Sequence, residues 1–245
     1  MRGWFVSIEG DPFIAFGSSH LFMLLIYLIG LLFLLTGYNV LQKNSVLFNM
    51  IRWILFSLLV LSELAYQTWT IANGVWSVNE HLPLHLCGIA SIIAAIALIN
   101  YNRRLIITAY FIGFIPALLA LITPELPYDF PHFRYWKFFI HHIVISWASI
   151  FLVFTGSIKI TFKSMLGAYF LLILYAIFIG FVINPVFDAN YLYLANTPSA
   201  STPLDLLGSG SWYYVNLCLL GFVVFILLLG FSRVLDTIKS FKDSL

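Results

Sequence analysis

Charged residues are scarce in this chain. Only 9% of its 245 residues are aspartate, glutamate, lysine or arginine, whereas 62% are hydrophobic. A water-soluble domain of this size cannot bury so much apolar surface, so the composition excludes a soluble enzyme and predicts an integral membrane protein. The net charge of +2 is small and spread along the chain, which excludes the basic patch that binds nucleic acid.

Cysteine is also rare, with two residues, Cys87 and Cys218. Both lie in or beside apolar segments, and their spacing does not resemble a disulfide framework. Each cysteine is therefore a candidate packing residue or a candidate reactive thiol.

Long apolar runs, by contrast, recur along the whole sequence. Each is long enough for a helix to cross roughly 30 Å of hydrocarbon, and no open sheet edge is stable in lipid. The sequence therefore predicts an all-α, polytopic membrane protein with one seven-helix domain over residues 1–245. The predicted spans are 20–41, 48–72, 84–100, 103–123, 138–156, 165–187 and 213–235.

Lysine and arginine are divided unevenly between the two sides of these spans. Nine lie on the side that includes Arg103 and Arg104, and three, Arg2, Arg134 and Lys137, lie on the other. Positively charged loops stay in the cytoplasm, so the side with nine is expected to be cytoplasmic. The N-terminus is then outside, the C-terminus is inside, and the expected location is the cell membrane.

All six histidines fall at span ends that this orientation places outside. An imidazole titrates near neutral pH and a thiolate is a strong nucleophile, so histidines close to a cysteine indicate chemistry at the outer face. These histidines are His20, His81, His85, His132, His141 and His142.

Cys87 lies in the segment HLPLHLCG at the start of the third span. Pro83 suits the first turn of a helix, and a helix that starts there would put Cys87 just past that turn, where the helix dipole favours a thiolate. His85 is two residues away and points about 200° from Cys87 on a regular helix. A base for Cys87 must therefore come from another span, unless this cysteine is only a small packing residue.

His141 and His142 begin a second candidate segment, HHIVISWAS, in the fifth span. Adjacent helical residues point about 100° apart, so only one histidine can face a given point. His142 shares a face with Ser146 and Ser149, and this polar stripe favours His142 as the inward group. His141 is then a neighbour or an interfacial residue. The alternative is that both histidines bind lipid headgroups.

Glu63 lies about nine residues, or roughly 13 Å, below the outer end of the second span. A carboxylate at that depth is costly unless it is paired or protonated, so it marks an interior site. Glu63 would orient a histidine, carry a proton, or lock helices together.

Asn184 and Asn190 follow the sixth span near the same face. Their amide groups offer donors for an oxyanion, but asparagines more often cap helix ends, and we favour the capping role.

Taken together, these segments resemble the YwaF-type (TP0381-like) family of bacterial integral membrane proteins. The matching segments are LPLHLC, TPELP with FPHFRY, FFIHH, NPVFDANYLYL, PLDLLG and WYY, and they span about two thirds of the chain. Relatives usually read Phe-Gly-x-Asn-Tyr where this chain has Asp188 after Phe187 and then Asn190 and Tyr191.

The resemblance implies an activity. Eukaryotic relatives of the family are similar to lipid acyltransferases in which a cysteine and a histidine move an acyl chain from a phospholipid to a lysophospholipid. The family cysteine matches Cys87, and the histidine after Phe-Phe best matches His142. More distantly, the arrangement is similar to the androgen-induced family of membrane hydrolases, which use threonine and histidine.

The leading hypothesis is therefore acyl transfer through a Cys87 thioester, with His142 as general base and no cofactor or metal. Supporting roles are expected for Glu63 and His85, with His141, Asn190 and Tyr191 near the site. The expected partners are phospholipid and lysophospholipid. Two alternatives remain: a proton-coupled transporter that uses Glu63 and the histidines, and a metal-dependent lipid hydrolase that uses His81, His85 and His142.

Overall fold

The computed structural model describes residues 2–6, 10–156, 158–197 and 203–243. These residues are mostly helical, and the β pairing among them is limited to an isolated bridge between Pro12 and Tyr128. Six helices are long and apolar enough to cross a membrane, and a seventh apolar helix is shorter. The prediction of an all-α membrane protein is confirmed.

Each predicted span overlaps a helix, but the first span, 20–41, is divided between two helices at Gly37, and the last helix extends to Asp243, beyond the predicted end at 235. The α-helices are α1 Ser18–Thr36, α2 Tyr38–Lys43, α3 Ser45–Ala72, α4 Leu86–Asn100, α5 Arg103–Ile122, α6 Phe133–Thr155, α7 Phe162–Phe178, α8 Asn184–Phe187 and α9 Ser211–Asp243. A π-helical turn, Ile179–Ile183, joins α7 to α8, so the sixth predicted span is continuous. Short 3₁₀ helices cover Arg2–Trp4, Tyr191–Tyr193 and Pro203–Leu207.

Side-chain caps explain why some helices start earlier than hydropathy predicts. Asn44 accepts the backbone N–H of Leu47 at the start of α3. His132 accepts the N–H of Arg134, so α6 begins at Phe133 instead of residue 138. A cap satisfies backbone donors that the first helical turn leaves without partners, and hydropathy does not detect it.

Helices α5 and α6 form the centre of the bundle, and small residues bring them together. A Cβ atom on Gly113 of α5 would lie 2.5 Å from the Ser149 hydroxyl of α6. That hydroxyl donates to the carbonyl of Ala109 at 2.9 Å. Close approach of this kind is typical of helix packing in membranes.

Helix α4 starts at Leu86, not at Pro83 as expected. The Pro83 backbone folds back over the first turn of the helix, where a Cβ on Gly88 would lie 2.5 Å from the Pro83 carbonyl oxygen. Because Gly88 has no side chain, the Pro83 backbone can pack against it, and the chain before Leu86 folds back instead of adding a turn to the helix. With 15 residues, α4 is about 22 Å long, which is why it falls short of the six longer helices.

Two loops at the histidine-rich end are joined by Tyr191. Its hydroxyl donates to the carbonyl of Val78 at 2.5 Å and accepts the N–H of Leu82 at 3.1 Å. The side chain of Asn184 bonds both the N–H and the carbonyl of Tyr191, each at 3.0 Å. These bonds tie the segment after α8 to the segment before α4.

Asp188 terminates α8 in the left-handed conformation, with φ 49° and ψ 47°. Glycine, which the YwaF-type resemblance predicts at this position, adopts this conformation without strain, and aspartate tolerates it better than most other residues. Asp188 therefore ends α8 in a conformation that glycine would also adopt.

Candidate active site

A cavity of about 960 Å³ opens between helices α3, α4, α5, α6, α7 and α9. Most of its lining is apolar, and its polar lining is concentrated on α3, α6 and the segment that leads into α4. Five predicted site residues line it: Cys87, His142, His141, His85 and Glu63. Side chains from three separate parts of the sequence therefore meet in one space.

Cys87 is the second residue of α4 and thus lies within the first helical turn. His85 occupies the N-cap position with φ −65° and ψ 161°, but its side chain makes no capping bond. The first-turn N–H groups around Cys87 therefore have no side-chain cap, and they carry the positive end of the helix dipole. This position is closer to the helix end than expected from sequence.

His142 is held in one orientation by its own helix. Its Nδ1–H donates to the Phe138 carbonyl one turn earlier, at 2.7 Å. Because Nδ1 carries the proton, Nε2 of the neutral ring is the nitrogen with a free lone pair. This tautomer presents Nε2 as a base.

His141 is buried inside the bundle and is 2% exposed. Its Nδ1 lies 2.8 Å from the hydroxyl of Ser62, which itself donates to the carbonyl of Leu59. His141 is therefore a buried neighbour of His142 inside the protein. The polar stripe continues inward as expected, since Ser146 and Ser149 are both fully buried.

Glu63 is paired with a lysine rather than with a histidine. Its Oε2 lies 3.8 Å from Lys137 Nζ, and its Oε1 accepts the side-chain N–H of Gln67 at 2.7 Å. These are the partners that the described residues give its carboxylate. The role of helix lock between α3 and α6 fits this geometry, whereas direct orientation of a histidine does not.

His85 forms part of an aromatic cluster at the histidine-rich end of the cavity. Its ring packs against Tyr191 and Tyr193, with ring centroids 5.2 and 5.1 Å away. The Tyr193 hydroxyl donates to the Glu125 carboxylate. Burial and this hydrogen bond raise the pKa of Tyr193, so its hydroxyl stays protonated and keeps donating.

Asn190 and Tyr191 support the loops beside the cavity. The Asn190 carboxamide oxygen accepts the N–H groups of Ala195 and Asn196, both at 3.0 Å. Tyr191 ties two loops together, as described above. Both are described residues that lie outside the cavity lining, so neither amide nor hydroxyl is placed to stabilise an oxyanion there. The predicted capping role is wrong in detail: Asn190 makes no side-chain capping bond, and the Asn184 and Asn190 side chains instead bond the backbone of the segment after α8.

The remaining histidines hold the fold together. His20 donates from Nε2 to the Leu121 carbonyl at 2.7 Å and accepts the Phe16 N–H at Nδ1. His132 uses both ring nitrogens in a similar way. Nδ1 of His81 accepts from Ser77, and burial lowers its pKa. Of the six histidines, His20 and His132 therefore lie outside the cavity lining, whereas His81 makes this local bond and also lines the cavity, as the other three do.

A metal site is not formed by these histidines. In the part of the chain that the structure describes, no three histidine, cysteine, aspartate or glutamate side chains are grouped to hold a metal ion. The metal-dependent hydrolase alternative, for which three protein ligands are typical, is therefore without a ligand set among the described residues.

Two cations of the site, Arg134 and Lys137, were not predicted as site residues. In the sequence they served only to assign the membrane orientation. Both line the cavity. They precede His141 by seven and four residues, which places them on the same face of α6. That spacing was the signal available in the sequence.

Comparison with known proteins identifies the family. Residues 15–229 match the TMEM164 family, a range that includes every helix from α1 to α8 and most of α9. No curated protein and no solved structure was found to match the chain. The relation to the YwaF-type family stays a prediction. The chain belongs to the TMEM164 family.

Proposed function

We propose that this chain is a phospholipid acyltransferase that forms a thioester on Cys87 and uses His142 as its general base. One observation carries the proposal: a thiol in the first turn of a helix and an imidazole with an available Nε2 line the same mainly apolar cavity. A volume of about 960 Å³ is at the upper end of the range for ligand pockets, as expected for acyl chains.

The reaction would begin when His142 Nε2 accepts the thiol proton. The Cys87 thiolate attacks the ester carbonyl carbon of the donor lipid, and the resulting oxyanion accepts hydrogen bonds from uncapped N–H groups at the start of α4. Collapse of this intermediate breaks the ester bond, and His142 returns the proton to the departing lysophospholipid hydroxyl. In reverse order, the hydroxyl of an acceptor lysophospholipid takes the acyl chain from sulfur.

The described structure contains no hydrogen bond between Cys87 and any histidine of the cavity lining. Catalytic hydrogen bonds are often longer before substrate binds and tighten in the complex. The two groups also belong to different helices, α4 and α6, so a small shift between these helices would change their separation. Binding of the acyl chain in the apolar part of the cavity is the event that we expect to bring them together.

The proposal includes a membrane topology. Helix α4 would be the third of seven spans, shorter than the others because the loop before it folds into the outer end of the bundle. The lysine and arginine distribution would place the N-terminus outside, the C-terminus in the cytoplasm, and the cavity mouth at the outer leaflet of the cell membrane.

A proton-coupled transporter is a weaker candidate. A carrier needs polar groups along a path across the membrane. The polar groups of this cavity are near the outer ends of α3, α4 and α6, whereas α5, α7 and α9 contribute mainly apolar side chains.

Acyl transfer to Cys87 is tested by labelling purified protein with a phospholipid whose acyl chain carries a terminal alkyne. Wild type is expected to take up label that neutral hydroxylamine removes, because hydroxylamine cleaves thioesters. Cys87→Ala is expected to lose the label. The second cysteine supplies a matched control: Cys218 also lines the cavity, but it is exposed and lies on α9, away from the first turn of α4, so Cys218→Ala should label like wild type.

Two labelling results would contradict the thioester mechanism. Label that persists on Cys87→Ala, or that is lost equally in Cys218→Ala, would overturn the thioester mechanism. Lipid mass spectrometry on the same samples should show lysophospholipid formed by wild type and not by Cys87→Ala.

A further inference from the structure

Two cations lie on α6 between the cavity histidines and the outer end of that helix. Arg134 and Lys137 are three residues apart, so they share a face, and both line the cavity. Their charged groups flank the ring of Tyr66, with Lys137 Nζ 4.2 Å and the Arg134 guanidinium carbon 5.5 Å from the ring centre.

The two cations differ in their partners. Lys137 is paired with Glu63 at 3.8 Å. The Arg134 guanidinium lies over the rings of Tyr66 and Trp69, and its N–H groups have no hydrogen-bond or ion-pair acceptor among the described residues. Arg134 is half-buried, and aromatic rings hold its guanidinium in place. Its five N–H donors, which have no acceptor among the described residues, are therefore available to a ligand.

Carboxylates also lie around the mouth of the cavity, and their positions matter for an anion. Glu63 is committed to Lys137 and Gln67, and Glu125 accepts from Tyr193. Glu80 is exposed to solvent, where its charge is screened.

From this arrangement we infer that Arg134, assisted by Lys137, forms a binding site for a phosphate group at the cavity mouth. Arginine presents a fork of donors that matches two phosphate oxygens, and lysine adds a point charge. The ring of Tyr66 makes cation–π contacts with both side chains, and these contacts help to hold the two charges in place. Nothing in the acyl-transfer chemistry itself requires this site, which would act in substrate positioning.

The site lies at a suitable distance from the reacting groups. Along α6, Lys137 precedes His141 by about 6 Å and Arg134 precedes His142 by about 12 Å of helix rise. In a glycerophospholipid the phosphate is separated from the acyl ester by the glycerol carbons alone. A phosphate at Arg134 would therefore direct the ester toward Cys87 and the apolar chain toward α7 and α9, and this orientation rests on the proposed function.

Binding is tested in the full-length Cys87→Ala variant, so that no acyl transfer is needed and failure of the thioester mechanism leaves the result interpretable. The probes are dihexanoyl phosphatidylcholine, dihexanoylglycerol, which has the same chains without phosphate, and inorganic phosphate. We expect Arg134→Gln to weaken binding of the phosphatidylcholine at least about tenfold and to leave dihexanoylglycerol binding unchanged, since charged hydrogen bonds are lost only with phosphate. Arg104→Gln removes an exposed arginine outside the cavity and should change neither.

The two possible sources of phosphate are separated by the third probe. Competition by inorganic phosphate at the affinity of the short lipid would assign the site to free phosphate, and competition at far higher concentration would assign it to the lipid. Two results would overturn the proposed phosphate site. One is equal phosphatidylcholine binding by Arg134→Gln and Arg104→Gln, and the other is an equal loss of phosphatidylcholine and dihexanoylglycerol binding in Arg134→Gln. If Arg134→Gln does not fold, Arg134→Lys keeps the charge, loses the fork, and should still weaken phosphatidylcholine binding selectively.

Discussion

The two walls of the cavity are built in different ways. The polar wall, formed by α3, the start of α4 and α6, carries side chains that hydrogen bonds and an ion pair hold in fixed orientations, including His142, Glu63 and Lys137. The apolar wall, formed mainly by α7 and α9, consists of residues such as Leu172, Ile173 and Val224, and these helices leave most of their side chains exposed.

This difference matches two requirements of the proposed acyl transfer. The proposed chemistry needs groups whose positions are fixed by packing and by secondary hydrogen bonds, and side chains held in this way lie in the polar wall, on the more deeply buried helix α6. An acyl chain makes no directional bonds, so it needs only apolar surface of adequate size. We therefore expect substitutions in the polar wall to affect rate or stability, and substitutions in the apolar wall to affect chain selection.

The largest effect is expected at His142. His142→Gln should lower the rate of Cys87 acylation by about 10²- to 10⁴-fold, the usual contribution of a general base. The measurement is the initial rate of alkyne-lipid labelling, followed by in-gel fluorescence.

The neighbouring histidine provides the control for this prediction. His141→Gln removes an imidazole whose Nδ1 is bonded to Ser62, and its labelling rate should fall by less than about tenfold. If His141→Gln is the slower variant, the base has been assigned to the wrong ring.

The next largest effect is expected in the ion pair of the polar wall. Glu63→Gln leaves Lys137 in the bundle without its carboxylate, and we expect a loss of about 1 to 3 kcal/mol, between the values for surface and fully buried pairs. Thermal unfolding in one detergent measures this loss.

A double substitution shows whether pairing is the cause. Glu63→Gln combined with Lys137→Met removes both charges and should be more stable than Glu63→Gln alone. Strictly additive losses would mean that the two side chains contribute separately.

Much of the helical arrangement could be predicted from the sequence. Apolar runs identified the helices because length and hydropathy are properties of a single segment, and the end of α3 at Ala72 and the start of α5 at Arg103 agree with the prediction. The starts of α4 and α6 were missed because they depend on a fold-back at Pro83 and a cap from His132, which are contacts between neighbouring turns.

The site was predictable in part for the same reason. Helix periodicity correctly placed Ser146 and Ser149 inside the bundle, but it favoured His142 over His141 as the inward histidine, whereas His141 is the more deeply buried ring and both histidines line the cavity. Periodicity could not reveal that Glu63 meets Lys137, since that contact joins two helices and requires their relative rotation. It also could not show that Tyr191 bridges two loops instead of lining the cavity.

An intermediate effect is expected from narrowing the apolar wall. Gly221 of α9 lines the cavity, and a Cβ there would meet only the Tyr169 ring at 3.7 Å, so Gly221→Ala should be tolerated. Gly221→Phe should exclude part of a long chain. Loss of two methylenes from the cavity, at about 0.8 kcal/mol each, should lower use of long-chain donors roughly tenfold and spare short-chain donors.

Competition between donor lipids of different chain length measures this shift. Gly230→Phe, on the same helix but at an exposed position with no atom within 4 Å of the added Cβ, is the matched control and should keep the wild-type chain preference. A uniform loss with every donor in Gly221→Phe would indicate disturbed packing of α9 instead of a shorter chain site.

The smallest effect is expected at Asp188, outside both walls, where only backbone conformation is at issue. Because φ is 49° there, Asp188→Gly relieves the strain of a left-handed L-residue but gives the unfolded chain more freedom, so the net gain in stability should be at most about 1 kcal/mol. Asp188→Ala keeps the strain and loses the aspartate's tolerance of it, so it should be destabilised by about 1 kcal/mol. Thermal unfolding of the three proteins should rank glycine at or above aspartate and both above alanine. If alanine equals aspartate, the left-handed turn does not limit stability; if glycine ranks below aspartate, the carboxylate itself stabilises the end of α8.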